Sequence, residues 1–203
     1  MKYSKSIPKS DDQLTAELLA NSWNKIKEPK NLLAAILTSI PFMLLNGAAI
    51  SLLMYKLYLP LREMLHNESI SFTFNWFAMI SFIPLLFIFL CVHEFCHAFL
   101  IPDFIKSEKT FWGITVNGGF ISTTEKIKKG RFIIISLMPF FLLSIILPIV
   151  FNAVGWLNGF IVFLCIMNAM GSSVDFLNAL LILFQVPNGG YIINNGFETY
   201  FKK

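Results

Sequence analysis

Four long, predominantly apolar stretches run roughly from Leu32 to Leu57, Asn75 to Ile101, Phe132 to Phe151 and Trp156 to Val186. Each is about as long as the 20 residues a helix needs to cross a bilayer's hydrocarbon core. In lipid every backbone N–H and C=O must find its partner inside the protein, so segments of this kind are restricted to helices. The expected fold class is therefore all-α and integral to the membrane, with four transmembrane helices in one bundle and the lipid bilayer as first partner. Composition agrees: 56% of the 203 residues are hydrophobic and 14% are charged, against about 25% charged in a soluble domain.

The spans divide the chain into three parts. Residues 1–31 form a polar, basic N-terminal segment without the apolar core of a cleavable signal peptide, so the first span is expected to act as an uncleaved anchor. Within that segment residues 10–27 predict an amphipathic helix. Ser10 and Gln13 resemble a capping box, Leu14, Leu18 and Ile26 fall on one side, and Trp23 suits a membrane interface. Residues 32–186 form the four-span core and residues 187–203 the tail. Pro41, Pro84, Pro139 and Pro148 lie inside spans, while Pro102 and Pro187 end them.

Charge sets the orientation. Lysines crowd the N-terminal segment, the loop between spans two and three (Lys106, Lys109, Lys126, Lys128, Lys129, Arg131) and the tail (Lys202, Lys203). The first outer connection holds only Lys56 and Arg62, and the second, near Asn152–Gly155, holds neither Lys nor Arg. The positive-inside rule then predicts a multi-pass cell-membrane protein with both termini and the middle loop in the cytoplasm. Nucleic acid is excluded as a partner, because the cations sit in short loops between spans instead of forming one patch. The middle loop also predicts a small β-hairpin: Thr110 to Val116, a turn at Asn117-Gly118-Gly119, then Phe120 to Thr124. Cys91, Cys96 and Cys165 have no framework spacing and read as small buried hydrophobes.

Near the end of span two stands His93-Glu94-Phe95-Cys96-His97, an H-E-x-x-H motif. Helical residues four apart share a face, so His93 and His97 can offer two imidazole nitrogens to one metal. Glu94, one position on, can reach a water molecule that attacks there. Ionisable groups in hydrocarbon cost at least a few kcal/mol each, so three within five residues imply chemistry. A catalytic zinc site takes three protein ligands and keeps one position open. Asp175 is the only acidic residue in span four, and spans two and four run in the same direction. His93 and Asp175 lie about 18 and 19 residues from their outer ends, hence at similar depth at about 1.5 Å per residue. Asn168 and Ser172 share the face of Asp175 and are candidates for contacting substrate or its developing oxyanion. Ile114, Thr115 and Val116 are the candidate strand that holds an extended substrate.

These residues resemble the site-2-protease class of intramembrane zinc metalloproteases. Phe176 here follows Asp175, where that class has glycine, and no N-P-D-G-like run occurs. More closely, the chain resembles a family of small bacterial membrane proteins described as putative zincin peptidases. That likeness rests on His-Glu-Phe-Cys-His-Ala at 93–98, on Asn168 with Ser172-Ser173-Val174-Asp175, and on Pro187 with Gly190-Tyr191. It implies a zinc metallopeptidase acting on a transmembrane or membrane-associated peptide near the cytoplasmic face, with Glu94 as general base. The alternative is a non-catalytic membrane protein of the partner-binding or immunity type, whose metal site is structural or vestigial. A structural site would be closed by a fourth protein ligand such as Cys96. A metal transporter or a di-iron protein would need more His or acidic residues within the spans than these.

Overall fold

A computed structural model describes residues 1–66, 76–115 and 118–203. In chain order its elements are β1 (Lys2–Tyr3), α1 (Asp12–Ala20), β2 (Asn24–Lys25), α2 (Leu32–Leu57), α3 (Leu59–His66) and α4 (Trp76–Phe99). The hairpin strands β3 (Thr110–Thr115) and β4 (Gly118–Thr123) follow, then β5 (Ile127–Lys128) and α5 (Lys129–Pro139). A π-helical segment (Phe140–Ile146) leads into α6 (Leu147–Ala153), α7 (Gly159–Gly171) and α8 (Ser173–Gln185). The chain closes with β6 (Tyr191–Asn195) and β7 (Glu198–Lys202).

Among the described residues four helical stretches are long and apolar enough to cross a membrane: Leu32–Leu57, Phe82–Phe99, Lys129–Ala153 and Gly159–Gln185. Their outward faces carry Leu33, Leu44, Leu45, Ile83 and Phe184, all exposed, a surface compatible with a multi-pass membrane protein. Inside, Ile50 and Met54 of α2 meet Phe140 of the π segment and Val162, Cys165 and Ala169 of α7. The third and fourth spans are not simple rods. In the third, Pro139 has no N–H, the amide of Phe140 turns back to Leu137 O, and the helix continues with π pairing. The fourth breaks at Ser172, which separates α7 from α8 and leaves Asp175 in the first turn of α8.

The all-α expectation is corrected at the chain's polar parts, which fold into two small sheets. One has the order β1-β3-β4, with β1 parallel to β3. Gly113 makes that approach possible, since a Cβ there would stand 2.0 Å from Ser4 O. The other sheet, β2-β7-β6-β5, gathers the N-terminal segment, the end of the middle loop and the tail, so the tail is a β-hairpin. The helix expected over 10–27 is shorter, and Asp11, not Ser10, caps it by accepting from the amides of Gln13 and Leu14. Its apolar side packs on this sheet: Leu14 and Leu18 meet Trp23 and Tyr200, and Trp23 is buried in that cluster. The turn at Asn117, and Val116 beside it, lie outside the described residues.

A buried lysine fastens the bundle to this sheet. Pro187 has no N–H to offer Leu183 O, the carbonyl four residues back. Lys129, at the start of α5, donates instead to Leu183 O at 2.8 Å and Val186 O at 2.6 Å. Lys129→Met keeps the stem and removes the donors, leaving buried carbonyls unpaired at about 1–3 kcal/mol. Thermal unfolding in detergent should show a lower midpoint; an unchanged midpoint would mean that water replaces the ammonium without loss.

Candidate metal centre

The H-E-x-x-H segment lies in the last two turns of α4, and both imidazoles turn toward the first turn of α8. His93 Nε2 stands 3.4 Å from Asp175 Oδ2, and His97 Nε2 stands 3.5 Å from Asp175 Oδ1. One ligand atom from each residue fits within a group no wider than 4.8 Å. The side chains are only 12%, 14% and 20% exposed. Among the described residues no fourth His, Cys, Asp or Glu joins them.

The arrangement fits zinc on two grounds. Ligand atoms held about 2.0–2.1 Å from a tetrahedral zinc stand about 3.3–3.4 Å apart, close to both measured separations. A charge-assisted hydrogen bond would be drawn in to about 2.7–2.9 Å. The second ground is the tautomer. Each Nδ1 faces an oxygen that can only accept: Asn168 Oδ1 for His93 and Ile135 O for His97, both at 2.8 Å. Both Nδ1 atoms therefore carry the proton, and both Nε2 lone pairs point at the carboxylate side, as a metal requires.

These outer partners have causes in the chain. Pro139 cannot donate to the carbonyl four residues before it, which is that of Ile135, so this oxygen is free for His97. Asn168 is oriented by the π segment: its Nδ2 donates to Pro139 O at 3.1 Å and to Ser144 Oγ at 2.8 Å. Ser144 Oγ donates onward to Cys165 O. With both amide protons engaged, Asn168 Oδ1 is the face left for His93.

In this structure the polar groups of Asn168 and Ser172, expected on the substrate side, are turned to His93 and to the helices around it. Asn168 has no free donor for an oxyanion, and Ser172, wholly buried, spends its hydroxyl on Asn168 O. Sequence reading missed Ile135, Pro139 and Ser144. The available signal was a proline four residues after a span position, which announces an unpaired carbonyl. Replacing Asn168 with Leu should weaken zinc binding about 10–100-fold, the usual cost of losing an outer partner. Competition against a chelator measures this, and equal affinity would remove Asn168 from that role.

Glu94, beside the three candidate ligand residues but not one of them, lines two cavities. One, about 350 Å³, also contains His97 and Asp175 and extends to Glu28, Asn194 and Thr199. The other, about 390 Å³, is walled by Cys91, Phe95, Ile105, Trp112 and Ile114 and is mainly apolar. Strand β4 runs between them against α4, where a Cβ at Gly119 would make ordinary contact, 3.4 Å from Glu94 Cγ and 3.6 Å from Cys91 Cα. β3 is paired by β4 along its length and by β1 only at Phe111 and Trp112, and the edge beside Glu94 belongs to β4. The amide of Thr124 donates to Lys109 O, and by antiparallel alternation Gly119, Ile121 and Thr123 direct their N–H and C=O groups away from β3. Cys96 and Cys165 are buried and Cys91 half-buried, all with free thiols.

The family described as "putative zincin peptidase" matches residues 85–191, more than half of the chain. The chain belongs to this family. The matched region takes in both histidines, Glu94, Asn168, Asp175 and the strands between, so the segment shared with this family contains the candidate metal centre. No curated protein and no solved structure matches the chain.

Proposed function

We propose that this zincin peptidase is an intramembrane zinc metallopeptidase that hydrolyses peptide bonds of membrane-embedded or membrane-associated substrates near the cytoplasmic face. One observation carries the reading: two imidazoles with their Nε2 lone pairs free and one carboxylate converge within spans, with Glu94 beside them. His93, His97 and Asp175 would hold zinc, which when bound makes water a nucleophile near neutral pH and polarises the scissile carbonyl. Three ligands with no fourth among the described residues favour a catalytic site over a closed structural one, the arrangement the non-catalytic alternative would need.

The remaining steps fall to the chain's own groups. Glu94 accepts the proton of the attacking water and passes it to the leaving amine. A substrate segment, unwound because helical hydrogen bonds shield its peptide groups, pairs with the edge of β4 through Thr123 and the Ile121 carbonyl, the Ile121 amide being taken by Glu94. Ile114, Thr115 and Val116, beyond the part of β3 that β1 pairs, remain a second strand proposed for this role. The apolar cavity beside Gly119 receives a hydrophobic side chain on one side of the scissile bond. Asn168 and Ser172 support the ligand set and leave the oxyanion to other donors. The density of lysines on the N-terminal segment, middle loop and tail supports a cytoplasmic location for this end of the bundle.

The test compares membrane proteomes of cells carrying wild-type protein and Glu94→Gln. A fragment of a membrane protein should appear only with the wild type. Identical proteomes under conditions where both proteins are made and hold zinc would sink the peptidase reading.

A further inference from the structure

The metal-side cavity is charged in one sense only. Its ionisable lining comprises Glu94, His97 and Asp175 at the centre and Glu28 at the far end, with no lysine or arginine. This is notable in a chain of net charge +4. Glu94 and Asp175 are accounted for by the site already described, whereas Glu28 is not.

Glu28 is held in a fixed pose without being neutralised. Its Oε1 accepts from the amide of Thr199 at 2.6 Å and its Oε2 from the Thr199 hydroxyl at 2.9 Å. Each carboxylate oxygen can accept more than one hydrogen bond. Lys25 is near enough to act on it electrostatically but is bonded to Glu198, and no ion pair to Glu28 exists among the described residues. Burial raises the Glu28 carboxyl above the ordinary range, with the two Thr199 bonds opposing. Across the strand pair from Thr199 stands Asn194, which lines the same cavity and whose Oδ1 is buried with no hydrogen-bond partner. The cavity therefore holds a carboxylate with two hydrogen bonds but no ion pair, and on β6 an acceptor with no donor at all.

We infer that the Glu28 end of this cavity is a subsite for a cationic side chain, lysine or arginine, of the bound peptide. The inference rests on reading the cavity as the substrate cleft. An ammonium or guanidinium brings several N–H donors and a full positive charge, which suits a partly buried carboxylate. The layout along β4 gives the same sense: the apolar cavity reaches Gly119, the acid-lined one reaches Ser122 and Thr123, and both share Glu94, Phe120 and Ile121. A peptide lying on that edge is read as apolar on one side of the cut and basic on the other. That is the composition of a transmembrane segment where it leaves the bilayer on its cytoplasmic side.

The experiment uses the full chain carrying Glu94→Gln, zinc-loaded, in uncharged phosphatidylcholine vesicles. The probes are fluorescent peptides with an apolar half and a polar half, in which a single Lys is moved one position at a time. Each has a twin with norleucine in place of Lys. At one or two positions the Lys peptide should bind about tenfold more tightly than its twin. Adding Glu28→Gln should bring that ratio close to one, and Glu28→Lys should invert the preference toward a Glu peptide. Carbodiimide treatment of the bound Lys peptide should join its amine to Glu28, a result that needs no variant at that position. Equal binding of every pair, no binding of any peptide, a Lys preference that survives Glu28→Gln, or coupling only elsewhere each overturns the subsite. Cleavage is not required: a protein that discriminates the pairs yet never cuts would sink the peptidase reading and leave the subsite standing.

Discussion

Purified Glu94→Gln is expected to hold zinc as the wild type does and to lose peptide hydrolysis by on the order of 10²–10⁴-fold. The separation follows from the geometry. Glu94 is not among the three residues whose ligand atoms converge, so its removal leaves the metal set intact. It does line the cavity that holds His97 and Asp175, where an attacking water must give up a proton. Glutamine keeps the size of the side chain and its fit against Gly119 but cannot take that proton. Zinc content and turnover of a membrane-derived peptide, measured on the same preparation, decide the matter. Retained turnover removes Glu94 as the base, and lost zinc would make it a ligand instead.

Asp175→Ala should have the opposite signature. Its two oxygens each face one histidine and complete the only three-membered ligand group among the described residues. Removing them leaves two imidazoles, and zinc affinity should fall by more than the roughly 10–100-fold that loss of an outer partner costs. Hydrolysis should be lost with the metal and return in part at high zinc concentration. Chelator competition gives the affinity directly; an Asp175→Ala protein that binds as tightly as wild type excludes the carboxylate from the ligand set. Together the two variants separate a residue that holds metal from one that moves a proton.

Much of this site was legible in the residues because its main components obey strong physical rules. Apolar length marks helices, helical period puts His93 and His97 on one face, and equal depth along parallel spans pairs them with Asp175. What could not be read are contacts that run through the main chain. Ile135 is an ordinary apolar residue whose carbonyl does the work, and Asn168 looks the same in sequence whether it serves substrate or histidine. The tail sheet escaped for a related reason. Short strands such as Asn24–Lys25 have almost no alternation of their own and exist because Tyr191–Asn195 and Glu198–Lys202 offer an edge. The hairpin in the middle loop was visible, but the outer pairing of its Phe111 and Trp112 depends on Lys2–Tyr3, more than a hundred residues away.

The link from His97 to Ile135 O has a consequence for how such a site drifts over time. The acceptor is a peptide oxygen, so any side chain compatible with the helix can occupy position 135 and leave the contact intact. What secures that oxygen is the absence of a hydrogen four residues further on, at Pro139. An alanine there would restore an N–H able to compete for the same carbonyl, while touching neither histidine nor aspartate. A change of that kind would look harmless in any scan of polar residues, yet it would loosen the imidazole from behind.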